Sequence, residues 1–154
     1  MRVVEVVDGG ERSRVCAEIL RTVPEWFGIE SATREYIDGV AELPTFVALA
    51  DDGREVGLLA LKQHGRRAAE IWVMAVVPDH HRCGVGRHLV ETAERFLLGG
   101  SVEYLQVKTL GPSRPDEGYA RTRAFYDAMG FVPLEELHGL WESNPCLLLV
   151  KRLP

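Results

Sequence analysis

Residues 69–87, AEIWVMAVVPDHHRCGVGR, hold the reading that decides the fold. Ala69 to Val77 is β-branched and nearly continuously apolar, which predicts a central strand covered on both faces. Pro78 closes it. Two glycines, Gly84 and Gly86, then stand in the first turn of a predicted helix, Gly84 to Leu98, whose Val85, Leu89, Ala93, Phe96 and Leu97 recur at helical spacing. Amides at a helix start have no intrahelical acceptor and carry roughly half a positive charge, and glycine lets an anion approach without a Cβ in the way. The segment therefore suits a compact anion such as a pyrophosphate, with Arg82 and Arg87 adding charge-assisted contacts. It lacks the third glycine of a dinucleotide fingerprint and the Gly-Lys-Ser/Thr of a phosphate loop. Two glycines marking nothing more than a tight strand-to-helix turn is the alternative reading.

Upstream, Val3 to Val7 predicts a strand stopped by Asp8-Gly9-Gly10, and Val15, Ile19 and Leu20 share one face of a helix from about Glu11 to Thr22. Ser31 is the expected N-cap of a helix over Ala32 to Val40. TFVALA and EVGLLALKQ, joined by Asp51-Asp52-Gly53, predict an antiparallel hairpin, and a turn at 64–67 leads back to the central strand. Downstream, Gly99-Gly100 ends the helix and Tyr104 to Thr109 is a strand. A Pro- and Gly-rich loop then leads to a helix over Ala120 to Met129, stopped by Gly130. Phe131 to Leu137 and Cys146 to Leu153 are the last strands.

With 154 residues, 46% hydrophobic and 27% charged, the chain has the profile of one domain over 1–154 that needs no disulfide or metal to hold its core. Its apolar runs are too short for a bilayer span, and Glu5, Asp8 and Glu11 interrupt any leader, so the expected location is the cytoplasm with no membrane partner. Three cysteines without a CxxC pair fit reduced thiols. A net charge of −5 disfavours nucleic acid as a partner and suits an amine. His80, His81 and His88 lack the spacing and carboxylates of a metal site, so none is expected. Cys83, at a helix start, has the setting of a redox-sensitive thiol or nucleophile, but no base stands beside it in sequence.

The chain resembles the GNAT superfamily of N-acetyltransferases from Arg2 to Leu153, in the order of its elements and in two motifs. His81-Arg82-Cys83-Gly84-Val85-Gly86 is similar to the family's (Gln/Arg)-x-x-Gly-x-(Gly/Ala) acetyl-CoA loop, with His81 where Gln or Arg is usual. Tyr126-Asp127-Ala128-Met129-Gly130-Phe131 is similar to the family's Tyr-x-x-x-Gly-Phe. The resemblance implies an α/β fold with a mixed, mostly antiparallel seven-stranded sheet flanked by about four helices. It also implies acetyl-CoA as cosubstrate, with phosphates on the amides of Arg82 to Arg87 and the pantetheine along a bulge at Met74-Ala75-Val76. Tyr126 maps onto the family's general acid and Glu70 onto the base of its histone-acetylating members. Trp26 and Phe27 fall where the early helices wall the acceptor cleft, and Tyr119 stands where many relatives carry a cofactor-binding Asn.

Each role has a plainer rival: a core aromatic for Tyr126, a solvated strand-end charge for Glu70, core packing for Trp26 and Phe27. The acidic pair in the loop Ser113 to Tyr119 could attract an amine or simply be solvated, and Trp141 and Asn144 are undecided. The expected chemistry is direct transfer of an acetyl group to a primary amine in a ternary complex, with no acetyl-enzyme. A noncatalytic acyl-CoA-binding regulatory module is the rival function, and a homodimer is possible because family members often pair.

Overall fold

The computed structural model describes residues Met1–Pro154. Its elements are β1 (Arg2–Val6), α1 (Gly9–Leu20), α2 (Glu30–Gly39), β2 (Thr45–Leu49), β3 (Glu55–Gln63) and β4 (Ala68–Val76), followed by α3 (Val85–Leu98), β5 (Tyr104–Leu110), α4 (Glu117–Ala128), β6 (Val132–Leu137) and β7 (Cys146–Arg152). The strands hydrogen-bond in the order β1-β2-β3-β4-β5-β7-β6. β1 with β2, β2 with β3, β5 with β7 and β6 with β7 run antiparallel, and β4 with β5 runs parallel. This is the mixed, mostly antiparallel seven-stranded sheet with about four helices that the family resemblance implies.

The chain forms two compact units, residues 1–62 with 72–99 and residues 63–71 with 100–154. In the first, Val15, Cys16, Ile19 and Leu20 of α1 pack with Val47, Leu58, Ala60, Val73 and Ala75 of the strands. Each fully buried Val, Leu or Ile side chain among them contributes about 1.5–3 kcal/mol. The α1 start departs from expectation: Gly9 and Gly10 lie inside the helix, because the Asp8 carboxylate caps it by accepting from the Glu11 amide at 2.9 Å. A cap is worth about 0.5–2 kcal/mol, enough to offset a glycine penalty of about 1 kcal/mol. Ser31 is not the N-cap of α2. That helix begins earlier, at Glu30, with Ile29 at the cap position and no side-chain cap. Tertiary ties override the local signal there: Glu30 pairs with Arg21 at 3.1 Å, and the Thr33 hydroxyl donates to the Phe27 carbonyl at 3.0 Å.

In the second unit, β5 pairs with β7 from Tyr104↔Arg152 to Leu110↔Cys146, and with β4 from Ala68↔Tyr104 to Ile71↔Val107. Leu105, Val107, Phe131 and Leu149 are buried. β6 ends the strand order and carries Pro133 beside a register shift, a placement that spares the ladder a missing donor. α4 starts at Glu117, three residues before the predicted Ala120, because Asp116 caps it by accepting from the Tyr119 amide at 3.0 Å. The acidic pair of the Ser113 to Tyr119 loop is thus a helix start, with Asp116 committed to the backbone.

Candidate functional site

After β4 the chain turns through a short 3-10 segment, Pro78–His80, into the loop that precedes α3. Arg82 has φ +62° and is the one non-glycine residue with positive φ; Gly84, at the α3 N-cap, has φ +82°. Left-handed backbone at a non-glycine residue costs of order 1 kcal/mol and tends to persist where function uses it. Alternating it with right-handed or extended residues turns successive amides toward one concavity, a nest for an anion. The Arg82 side chain is exposed and has no ion-pair partner, and Arg87 reaches Glu91 only at 3.8 Å.

The His81 side chain is exposed, with one ring nitrogen engaged. Its Nε2–H donates to the Val76 carbonyl at 2.6 Å and its ring meets Trp26 edge-on at 5.7 Å, tying the loop to the end of β4. Cys83 is exposed, and His88 Nδ1 sits 2.9 Å from the Gly84 carbonyl in the first turn of α3. No three His, Cys, Asp or Glu side chains come together as a metal-binding group.

Along β4, Trp72, Met74 and Val76 are half-buried and Val73 and Ala75 buried, so one face of the strand's second half stays partly open. Trp72 continues an aromatic run. Phe27 meets Tyr36 edge-on at 5.8 Å, Tyr36 meets Trp72 at 4.9 Å, and Lys62 Nζ stands 5.9 Å from the Trp72 ring. Trp26 and Phe27 do form part of a half-buried aromatic surface, but Tyr36, absent from the sequence reading, links it to β4. The only sequence signal was Gly39 one turn later: a Cβ there would lie 2.4 Å from the Trp72 indole.

Glu70 is the largest departure from a plain reading. It is only 5% exposed, and so is no solvated charge at a strand end. One carboxylate oxygen lies 2.5 Å from His64 Nε2, and Lys108 Nζ stands 3.4 Å from both oxygens. Burying a carboxylate costs several kcal/mol unless it is paired and hydrogen-bonded, and these two partners supply both conditions. Cys146 of β7 adjoins the group: burial pushes its thiol up to about 11, with Glu70 adding to the effect and Lys108 opposing it. Neither His64 nor Lys108 was singled out from sequence; the trace they leave is a lysine inside a predicted strand.

Tyr126 is the one buried residue of α4, its ring edge-on to Phe125 at 5.2 Å and to Phe131 at 5.3 Å. The helix ends there in a Schellman turn. Gly130 has φ +92°, the Phe131 amide donates to the Tyr126 carbonyl at 3.0 Å and the Gly130 amide to that of Asp127 at 3.0 Å. The Tyr-x-x-x-Gly-Phe pattern is therefore a helix stop that fixes the tyrosine one turn before a buried aromatic. Asn144 is held by the Arg114 guanidinium.

The family model described as an acetyltransferase (GNAT) domain matches residues 42–133, more than half of the chain. No curated protein matches by sequence. Among solved structures, a nourseothricin acetyltransferase is 24% identical over 73% of this chain and 66% of that one, with a TM-score of 0.65. An aminoglycoside 6'-N-acetyltransferase complexed with coenzyme A is 17% identical over 100% and 98%, with a TM-score of 0.75. The ribosomal-protein-S18-alanine N-acetyltransferase from Escherichia coli is 15% identical over 98% and 94%, with a TM-score of 0.76. At these identities the likeness to solved structures is one of fold.

Proposed function

The chain belongs to the GNAT acetyltransferase family, and from that premise we propose that it moves an acetyl group from acetyl-CoA to a primary amine by direct transfer. The observation that carries the reading is the left-handed pair Arg82 and Gly84 at the start of α3, a strained backbone whose amides suit a diphosphate. Acetyl-CoA supplies the activated acetyl group; the chain's residues do the rest. Amides of Arg82 to Arg87 and the free Arg82 guanidinium bind the phosphates, and the open face at Met74 to Val76 receives the pantetheine arm. Tyr126 donates a proton to the departing sulfur, for which a phenol of pKa about 10 is well matched. The aromatic run from Trp26 and Phe27 to Trp72 walls the acceptor, and ring faces of this kind attract an ammonium group.

The acceptor must lose a proton to become a nucleophile, and that proton leaves toward Glu70. Cys16 and Cys146 are buried with thiols pushed up to about 12 and about 11, which makes both poor covalent carriers and leaves the exposed Cys83 as the cysteine an acetyl-enzyme would use. None of the helices is long and apolar enough to cross a membrane. The test combines calorimetric titration with acetyl-CoA and a thiol-release assay over primary amines. Binding with amine-dependent thiol release supports transfer. Tight binding with no release from any amine would instead leave a noncatalytic acyl-CoA-binding module.

A further inference from the structure

We propose that His64, and not Glu70 itself, takes the proton from the acceptor amine, through its Nδ1 atom, with Glu70 as the positioning residue behind it. The inference rests on the acetyl-transfer reading and names the atom at which its proton leaves.

Access and saturation distinguish the two residues. The Glu70 side chain is 7% exposed, against 37% for His64 in the turn between β3 and β4. Both Glu70 oxygens are engaged, one by His64 Nε2 at 2.5 Å and both by Lys108 Nζ at 3.4 Å. A carboxylate so enclosed is poorly exposed to an incoming amine, while the imidazole bonded to it is over a third exposed. A carboxylate oxygen accepts here, so Nε2 carries the hydrogen, and in the neutral imidazole that leaves Nδ1 with its lone pair. The arrangement orients a base through its far nitrogen, as carboxylates do for catalytic histidines elsewhere. The charged and titratable groups around the pair are Glu70 from β4, Lys108 from β5 and the thiol of Cys146 from β7. Arg67, also in the turn, is committed to Glu103.

The step balances without a further reactant. An amine N–H bond breaks and an Nδ1–H bond forms, giving imidazolium against the Glu70 carboxylate. The amine nitrogen bonds to the acetyl carbon, the C–S bond breaks, and the thiolate takes its proton from Tyr126. Imidazolium then returns its proton to solvent through its exposed edge.

Two measurements test this. Long-range 1H–15N correlation spectra, with the His64 signal identified by its loss in His64→Asn, report the tautomer without any substrate. Nε2–H is expected, and an Nδ1–H tautomer would overturn the proposal even if no amine is ever acetylated. With acetyl-CoA and whichever of spermidine, kanamycin, lysine and an alanine-terminated peptide is acetylated, His64→Asn should lower kcat about 10²–10³-fold, remove the acidic limb of the rate profile, and leave KM for acetyl-CoA unchanged. His64→Gly should regain part of that rate with added imidazole. A His64→Asn enzyme that keeps its acidic limb while Glu70→Gln loses it would make Glu70 the base. Absence of transfer in the unaltered protein would sink the transfer reading instead, and the tautomer would still decide where the hydrogen lies.

Discussion

The loop after β4 and the group around Glu70 are built on opposite plans. The loop is exposed, made of consecutive residues, and offers backbone amides through two left-handed positions. The Glu70 group is centred on a buried carboxylate with part-exposed partners, is drawn from a turn and three strands, and offers side chains held in place by one another. A local backbone device suits binding, because amides are present whatever the sequence and glycine only clears their approach. A device assembled from distant side chains suits chemistry, because only ionisable groups move protons. The contrast implies that damage to the loop costs affinity, and that damage among the ionisable side chains costs turnover or stability.

The largest expected effect tests the turnover side. Tyr126→Phe keeps the ring against Phe131 and removes one hydroxyl, so folding should be nearly unchanged while kcat falls about 10²–10⁴-fold with CoA affinity intact. Circular dichroism and thiol-release kinetics together check it. A matching loss of CoA affinity would mean that the hydroxyl binds the cosubstrate and does not donate the proton.

Next in size is Gly86→Glu, aimed at the loop alone. A glutamate in the first turn of α3 replaces glycine by a better helix former and complements the helix dipole, so thermal stability should hold or rise slightly. CoA affinity should nonetheless fall about 10–100-fold, since a carboxylate would compete for the same amides as the diphosphate. Calorimetry with desulfo-CoA reads it, and unchanged affinity would move the phosphates elsewhere.

Lys108→Met probes whether the Glu70 group is a mutual dependency. Removing the ammonium leaves Glu70 buried with His64 as its only partner, and stability should fall by about 1–3 kcal/mol, read by urea unfolding. The double variant Lys108→Met with Glu70→Leu should regain much of that loss, because no unpaired charge is then buried. Additive losses would mean the two side chains are energetically independent.

These two plans also explain what a reader of the chain could see. The loop was legible because its signals are adjacent: an apolar strand, Pro78, then Gly84 and Gly86 within nine residues of one another in a single run. The sheet was legible through the family resemblance, and the stop after Met129 through the local chemistry of Gly130. The burial of Glu70 was not legible. It depends on Lys108, which is 38 residues away, and on a histidine in a turn that reads as solvent-facing. Tyr36 escaped for the same reason, since what gives it meaning is a contact with Trp72 across the fold of the first unit. Ser31 misled because a capping preference is worth only about 1 kcal/mol and does not by itself fix a helix start, and α2 begins one residue earlier, at Glu30.

The smallest effect concerns an anion that the protein already holds with an amide. Glu136 accepts from the Ser113 amide at 3.0 Å, and donation from Ser113 by side chain and backbone holds its carboxyl below the ordinary 4.5. A carboxylate whose folded pKa is depressed stabilises the fold above its unfolded pKa, and loses that contribution as pH falls from about 4.5 through the lower folded value. Glu136→Gln can still accept from the amide but cannot ionise. Its melting temperature should therefore sit slightly below that of the unaltered protein at pH 7 and converge with it by pH 3. Because Glu136 is at the surface, the gap should be small and should shrink further in 1 M salt. An equal gap at pH 3 and pH 7 would mean that the charge contributes nothing and that the Ser113 contact is held by shape alone. That outcome would also weaken the case for amides as the main anion ligands at Arg82 to Arg87, since the same interaction is invoked there without a side-chain partner.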